Sequence, residues 1–198
     1  DMAETTFQAL RLQIPVQSII YTGLRGVGKT VLLNQMEELA KKESIECRHI
    51  EVENRNDFIS QIITCCQVFL RNISTGERMK QTISKAVDAL KSLAVSFSPE
   101  SSTFSLSMQE QELYKTTNLT QSLTDVFISV GEAARDANKP ICFFIDEMQY
   151  MKGNELSSLI AALHRANQLN LPIMIVGTGL PKLYKMLAEE KTYTERLF

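Results

Sequence analysis

Two short runs constrain this chain more than any other feature: ICFFI at 141–145 and IMIV at 173–176. A strand with one face in water alternates apolar and polar residues. A short run that is apolar throughout reads as a strand buried on both faces. Helix-period stripes separate and flank these runs. One covers 30–42, with Leu32, Leu33, Met36, Leu39 and Ala40. Another covers about 57–71, and a third carries Met79, Ile83, Ala86, Leu90 and Leu93. Two more follow, from Leu119 to Ala137 and from Leu156 to Ala166, and PKLYKML starts a last helix with Pro181 in its first turn. QSIIYT at 17–22 and ECRHIEV at 46–52 complete the set of predicted strands. Strands alternating with helices imply parallel pairing, because a parallel neighbour is reached only through a long crossover. The expected fold class is therefore α/β, three layers around a mainly parallel sheet, and 198 residues suffice for one such core. Val95 and Phe97 alternate with serines before SPESS, and Phe104, Leu106 and Met108 alternate after it. That period of two predicts a hairpin over 95–108, inside a helix-hairpin insertion near 72–116.

Between the first strand and the first of these helices stands GLRGVGKT, residues 23–30, which satisfies G-x-x-x-x-G-K-[ST] at every fixed position. A phosphate chain needs several N–H donors close together, and side chains would obstruct the approach. Gly23, Gly26 and Gly28 permit the turn, and the helix starting near Lys29 offers unpaired N–H groups at its positive end. Lys29 is placed to reach the β- and γ-phosphates and Thr30 to set its hydroxyl on Mg²⁺. Leu24, Arg25 and Val27 fill the variable places, and Val31 follows the motif. A chance match in a glycine turn is the competing explanation. The strand before and the helix after meet the context that the motif requires.

ICFFI continues into Asp146 and Glu147. Carboxylates at the carboxyl end of a buried strand stand where α/β sheets bind ligands. Asp146 suits the outer shell of Mg²⁺, through water, and Glu147 suits a base that orients and polarises an attacking water. IMIV ends in Gly177, Thr178 and Gly179. If that strand neighbours the first, the Thr178 hydroxyl lies beside the phosphate loop, within reach of the γ-phosphate or the water. The alternative makes Thr178 a turn residue between glycines.

Three strand ends, GLRGVGKT, FFIDEMQ and VGTGLP, together resemble the AAA+ division of P-loop ATPases. ALHRANQ and YTERLF add a resemblance to bacterial proteins of its origin-recognition-like and signal-transduction branches. The resemblance covers most of the chain, with 72–116 poorly matched. It implies phosphate binding by Gly23–Thr30, Mg²⁺ and water handling by Asp146 and Glu147, and γ-phosphate sensing by Thr178, where Asn is common in the family. It also implies that Arg196 lies near the place of an arginine finger acting on a neighbouring subunit. A surface arginine paired with Glu195 is the alternative. A fifth core strand and a helical lid are expected after Phe198, which would make 1–198 an AAA+ core incomplete at its C-terminus.

The remaining features narrow the function classes. Net charge is −2, so no global basic field draws the chain to nucleic acid. No apolar run approaches the roughly 20 residues of a membrane helix. Cys47, Cys65, Cys66 and Cys142 lie in apolar elements, which reads as buried thiols in a reducing cytoplasm. His49 and His164 have no ligand-spaced partner. Gln149 and His164 are each read either as lining the site or as a satisfied polar residue. The stretch 95–108 carries no Lys or Arg, which favours packing or protein contact over nucleic acid. The expected function is Mg²⁺-dependent ATP hydrolysis that switches contacts with a protein partner or with a second copy. The alternative is a nucleotide-gated regulator or scaffold that binds ATP or ADP with little turnover. A small-molecule kinase is disfavoured by the adjacent Asp-Glu pair, and ATP over GTP follows from the resemblance.

Overall fold

The computed structural model describes residues 2–53, 58–73, 76, 79–97 and 118–189. In chain order these residues form α1 (Met2–Arg11), β1 (Ile19–Thr22), α2 (Lys29–Lys42), β2 (Glu46–Glu51) and α3 (Phe58–Asn72). They continue with α4 (Lys80–Phe97), α5 (Leu119–Asp136), β3 (Ile141–Asp146) and a 3-10 turn (Met148–Tyr150). The last elements are α6 (Gly153–Gln168), β4 (Ile173–Gly179) and α7 (Lys182–Glu189).

The four strands form one sheet in the order β1-β4-β3-β2, and every pairing is parallel. β3 and β4 occupy the centre, and every residue of both is buried, as their unbroken apolar runs require. Successive side chains along a strand point to opposite faces. Ile141, Phe143, Ile145, Ile173 and Ile175 accordingly join the larger core, built with α3, α4, α5 and α6. Cys142, Phe144, Met174 and Val176 join the smaller core under α1 and α2. Phe143 stacks at 5.9 Å from Phe127 of α5, and Phe144 at 6.4 Å from Phe7 of α1. Full burial of each such side chain contributes about 1.5–3 kcal/mol, so the pair of phenylalanines clamps both helical layers to one strand. This is the three-layer α/β arrangement that the pattern predicts.

Two elements differ from expectation. No element is expected before residue 17, whereas α1 buries Ala3, Phe7 and Leu10 against α2 and the sheet. The hairpin over 95–108 is corrected at its start, because Val95 and Phe97 belong to α4. Phe97 follows Leu90, Leu93 and Ala94 on one helical stripe and packs against the larger core, so the helical period overrides the alternation with serines. The rest of that segment, including Phe104, Leu106 and Met108, lies outside the described residues.

The polar junctions follow local rules. Asn118 begins α5 by accepting the Gln121 N–H through Oδ1 at 2.8 Å. Glu155 accepts the Lys152 N–H at 2.9 Å at the start of α6. His49 pairs its Nδ1 with Glu37 at 3.0 Å. All four cysteines are free. Cys66 and Cys142 are buried, whereas Cys47 and Cys65 are half-buried. Burial pushes the Cys47 thiol up to about 12 and that of Cys65 up to about 11, so both stay protonated at neutral pH.

Candidate functional site

The carboxyl ends of β1, β4 and β3 converge at one end of the sheet. β1 stops at Thr22, and the chain turns through Gly23–Gly28 into α2. Gly26 and Gly28 hold φ of 79° and 87°, a region that costs an L side chain energy. Gly28 stands at the N-cap of α2 with no side chain to cap the helix, which leaves the first N–H groups of α2 for another acceptor. Leu24, Val27 and Val31 are 68%, 62% and 61% exposed, so the loop contributes backbone and Lys29 to its own centre. Lys29 is buried, and its Nζ donates to the Leu24 carbonyl at 3.0 Å, holding the ammonium under the loop. The Gly23 N–H donates to the Gly179 carbonyl at 3.1 Å and ties the loop to the end of β4.

Because β1 and β4 are neighbours, Tyr21 pairs with Thr178. Thr178 lies within β4 and is fully buried, so it is a strand residue and not a turn residue. Asp146, the last residue of β3, is 2% exposed. Its Oδ1 accepts the Thr178 hydroxyl and, at 2.8 Å, the Glu147 N–H. Its Oδ2 accepts the Thr30 hydroxyl at 2.6 Å. Burial opposes ionisation of this carboxyl, but the hydrogen bonds from Thr178, Thr30 and the Glu147 N–H outweigh it and hold the group below the ordinary carboxylate range. An ionised carboxylate beside a hydroxyl at the end of a phosphate-type loop is a hard oxygen donor set. It fits a small divalent cation such as Mg²⁺, which prefers one or two carboxylate or hydroxyl oxygens and keeps its remaining waters.

Glu147 adopts a left-handed conformation, φ 56° and ψ 37°, that is uncommon for a side-chain-bearing residue. The chain then folds back through the 3-10 turn. Met148 packs over Gly177, where a Cβ would sit 2.2 Å from its sulfur. Gln149 is buried. Its Nε2 donates to Glu147 Oε2, and its Oε1 accepts the Leu180 N–H at 2.8 Å. Tyr150 accepts a hydrogen bond from Arg25 of the loop at 3.0 Å and carries Lys182 over its ring at 5.3 Å.

The fold thus brings together Gly23–Val31 with Asp146, Glu147 and Thr178, which follow the loop by more than 100 residues in the chain. Arg196 lies outside the described residues. A sequence model for the AAA ATPase domain matches residues 4–176, most of the chain. The chain belongs to the AAA ATPase domain family. No curated protein matches it by sequence. The match takes in the loop, Asp146 and Glu147 of this AAA ATPase domain and stops two residues before Thr178. Gln149, open between lining the site and a satisfied polar role, does both, and Tyr150 is a site residue that the sequence leaves unassigned. They stand two and three residues after Glu147, where a short turn keeps them at the strand end. Tyr150 adds a further link, because it joins the 3-10 turn to Arg25, a residue in a variable place of the loop motif.

Proposed function

We propose that this AAA ATPase domain binds ATP and hydrolyses it with Mg²⁺. The observation that carries this reading is the Asp146 carboxylate held between the Thr30 hydroxyl at the end of the phosphate loop and the Thr178 hydroxyl of β4. In this reading the loop N–H groups from Gly23 to Thr30 and the start of α2 receive the phosphates. Lys29 exchanges the Leu24 carbonyl for β- and γ-phosphate oxygens. Thr30 would hold Mg²⁺, with Asp146 acting through water, and the ion would supply neutralisation of phosphate charge. Glu147 takes a proton from a water whose oxygen attacks the γ-phosphorus. The bond from that phosphorus to the bridging oxygen breaks, giving ADP and inorganic phosphate. Thr178, poised on Asp146, senses the γ-phosphate or the water.

The nucleotide state would switch contacts with a protein partner or a second copy, with Arg196 supplied to the neighbouring copy's site. The family match supports ATP as the nucleotide. The bacterial origin-recognition-like and signal-transduction branches are the proposed place within the family. The four free cysteines support a reducing cytoplasm, and no described helix is long and apolar enough to cross a membrane.

The test is Glu147→Gln in the full-length protein. ATP affinity is expected to stay within about threefold while turnover falls about 10²–10⁴-fold, the usual weight of a general base. Wild-type turnover in this variant would refute the assignment. Retained nucleotide with no phosphate release by the wild type over hours would instead support the nucleotide-gated regulator.

A further inference from the structure

Both carboxylates at the end of β3 are held from the end of β4, by different means. Asp146 is bound directly by Thr178, whereas Glu147 is reached through Gln149, which lies between it and the Leu180 backbone. The orientation of the Gln149 amide follows from its two neighbours. The Leu180 N–H is only a donor, so Oε1 must face it, and Nε2 is left to face the carboxylate, an acceptor when ionised. Both ends of a side chain that is 4% exposed are therefore satisfied in one arrangement and in no other.

The surroundings preserve that arrangement. A Cβ on Gly179 would come within 2.9 Å of Gln149 Oε1 and 2.6 Å of Leu183 Cδ2, so this glycine leaves the space that the amide and α7 occupy. The left-handed backbone of Glu147 starts the reversal that brings a side chain two residues later back onto its own carboxylate. An uncommon backbone state maintained at a reacting group is a form of preorganisation.

The geometry points to Gln149 as the positioning residue of the proposed base, an inference that rests on the hydrolysis reading above. Its amide N–H fixes one oxygen of Glu147, leaving Oε1 to receive the proton of the attacking water. Its carbonyl ties that orientation to Leu180 at the turn between β4 and α7. Movement of this turn reaches the base through the Gln149 side chain, alongside the backbone tie of Gly179 to the loop. A carboxylate released from this tie samples unproductive rotamers, and misplacement of a reacting group by about 1 Å can cost about 100-fold in rate.

Single-turnover ATP hydrolysis and ATP affinity, measured on the full-length protein, test the role. Gln149→Met keeps the shape and loses both hydrogen bonds. It is expected to lower the hydrolysis rate about 10- to 100-fold with affinity within about threefold. Gln149→Glu keeps an acceptor for the Leu180 N–H and sets a second carboxylate against Glu147. It is expected to lose a similar factor, whereas a residue that only caps Leu180 would be rescued by it. On a Glu147→Gln background, Gln149→Met should add no further loss, because both changes act through one group. Wild-type hydrolysis by Gln149→Glu, or a full additional loss in the double variant, overturns the positioning role while leaving the base in place. Wild-type hydrolysis by Glu147→Gln alone removes the base, and the role of Gln149 with it.

Discussion

The phosphate loop and the strand-end cluster lie side by side and are built on opposite principles. The loop works through backbone: Gly26 and Gly28 set its path, Leu24 and Val27 are exposed, and Lys29 is its one buried charge. The cluster works through side chains: Asp146, Thr178 and Gln149 are buried, and each is hydrogen-bonded to a partner on another strand end or turn. A loop of this kind can lose a side chain without losing the fold. A buried polar cluster loses stability with each such change, because each hydroxyl or amide removed leaves a partner unsatisfied. Changes in the loop should therefore register in nucleotide affinity, and changes in the cluster in stability and turnover together.

The largest effect that would break this division is expected at Lys29. Lys29→Ala should weaken ATP binding about 10- to 100-fold, since a hydrogen bond to a charged group contributes about 1.5–3 kcal/mol. Thermal unfolding without nucleotide should move little. Titration calorimetry with a melting curve checks both, and a large drop in melting temperature would place Lys29 with the cluster instead.

Next comes Gly177→Ala. Its new Cβ would meet the Met148 sulfur at 2.2 Å, so the buried Met148 side chain must repack or the 3-10 turn or β4 must shift. Overpacking of this kind costs about 1–3 kcal/mol. At about 2–4 °C per kcal/mol for a domain of this size, the melting temperature should fall by several degrees. An unchanged melting curve would show that Met148 repacks freely and does not pin the turn to β4.

Thr178→Val keeps the shape and removes one donor to Asp146, for about 1 kcal/mol. Its effect should depend on pH. The Asp146 carboxyl is held below its ordinary 3.8, so its hydrogen-bonded carboxylate contributes stability that is complete above that value. That contribution drains away as the pH falls through the lower folded value. With one of the three donors gone, the contribution shrinks. The gap between the wild type and Thr178→Val should be widest above the ordinary carboxylate range and narrow in acid. A gap that stays constant down to acid pH would mean the hydroxyl stabilises the fold without acting on the carboxylate.

The smallest effect is expected at Arg25. Its 3.0 Å hydrogen bond to Tyr150 is exposed and replaceable by water. Arg25→Ala should change stability by about 0.5 kcal/mol or less, as for most surface substitutions. A larger loss would mean that loop and cluster are coupled through Tyr150, and the division drawn above would need that link added.

Much of this was legible without coordinates. The central strands β3 and β4 were visible as unbroken apolar runs, because burial on both faces leaves no polar positions. The loop was visible because the phosphate binding proposed for it needs a fixed local spacing. The start of the 95–108 segment is ambiguous in sequence, because two apolar residues separated by one serine satisfy a period of two as well as the end of a helical stripe. Only the packing of Phe97 on the larger core separates the two readings. α1 is hard to assign from sequence although Ala3, Phe7 and Leu10 hold helical spacing, because a single short stripe has no strand beside it to mark its role.

Consecutive residues determined where a phosphate chain can approach, since backbone turns and helix starts are local properties of GLRGVGKT. Consecutive residues also placed Asp146 and Glu147 at a strand end. Tertiary structure decided the rest. Inserting β4 between β1 and β3 brings Thr178 onto Asp146 and Leu180 onto Gln149, from partners 32 and 31 residues apart in the chain. Strand order is set by which faces bury together across the whole core, and no short stretch of sequence contains that information.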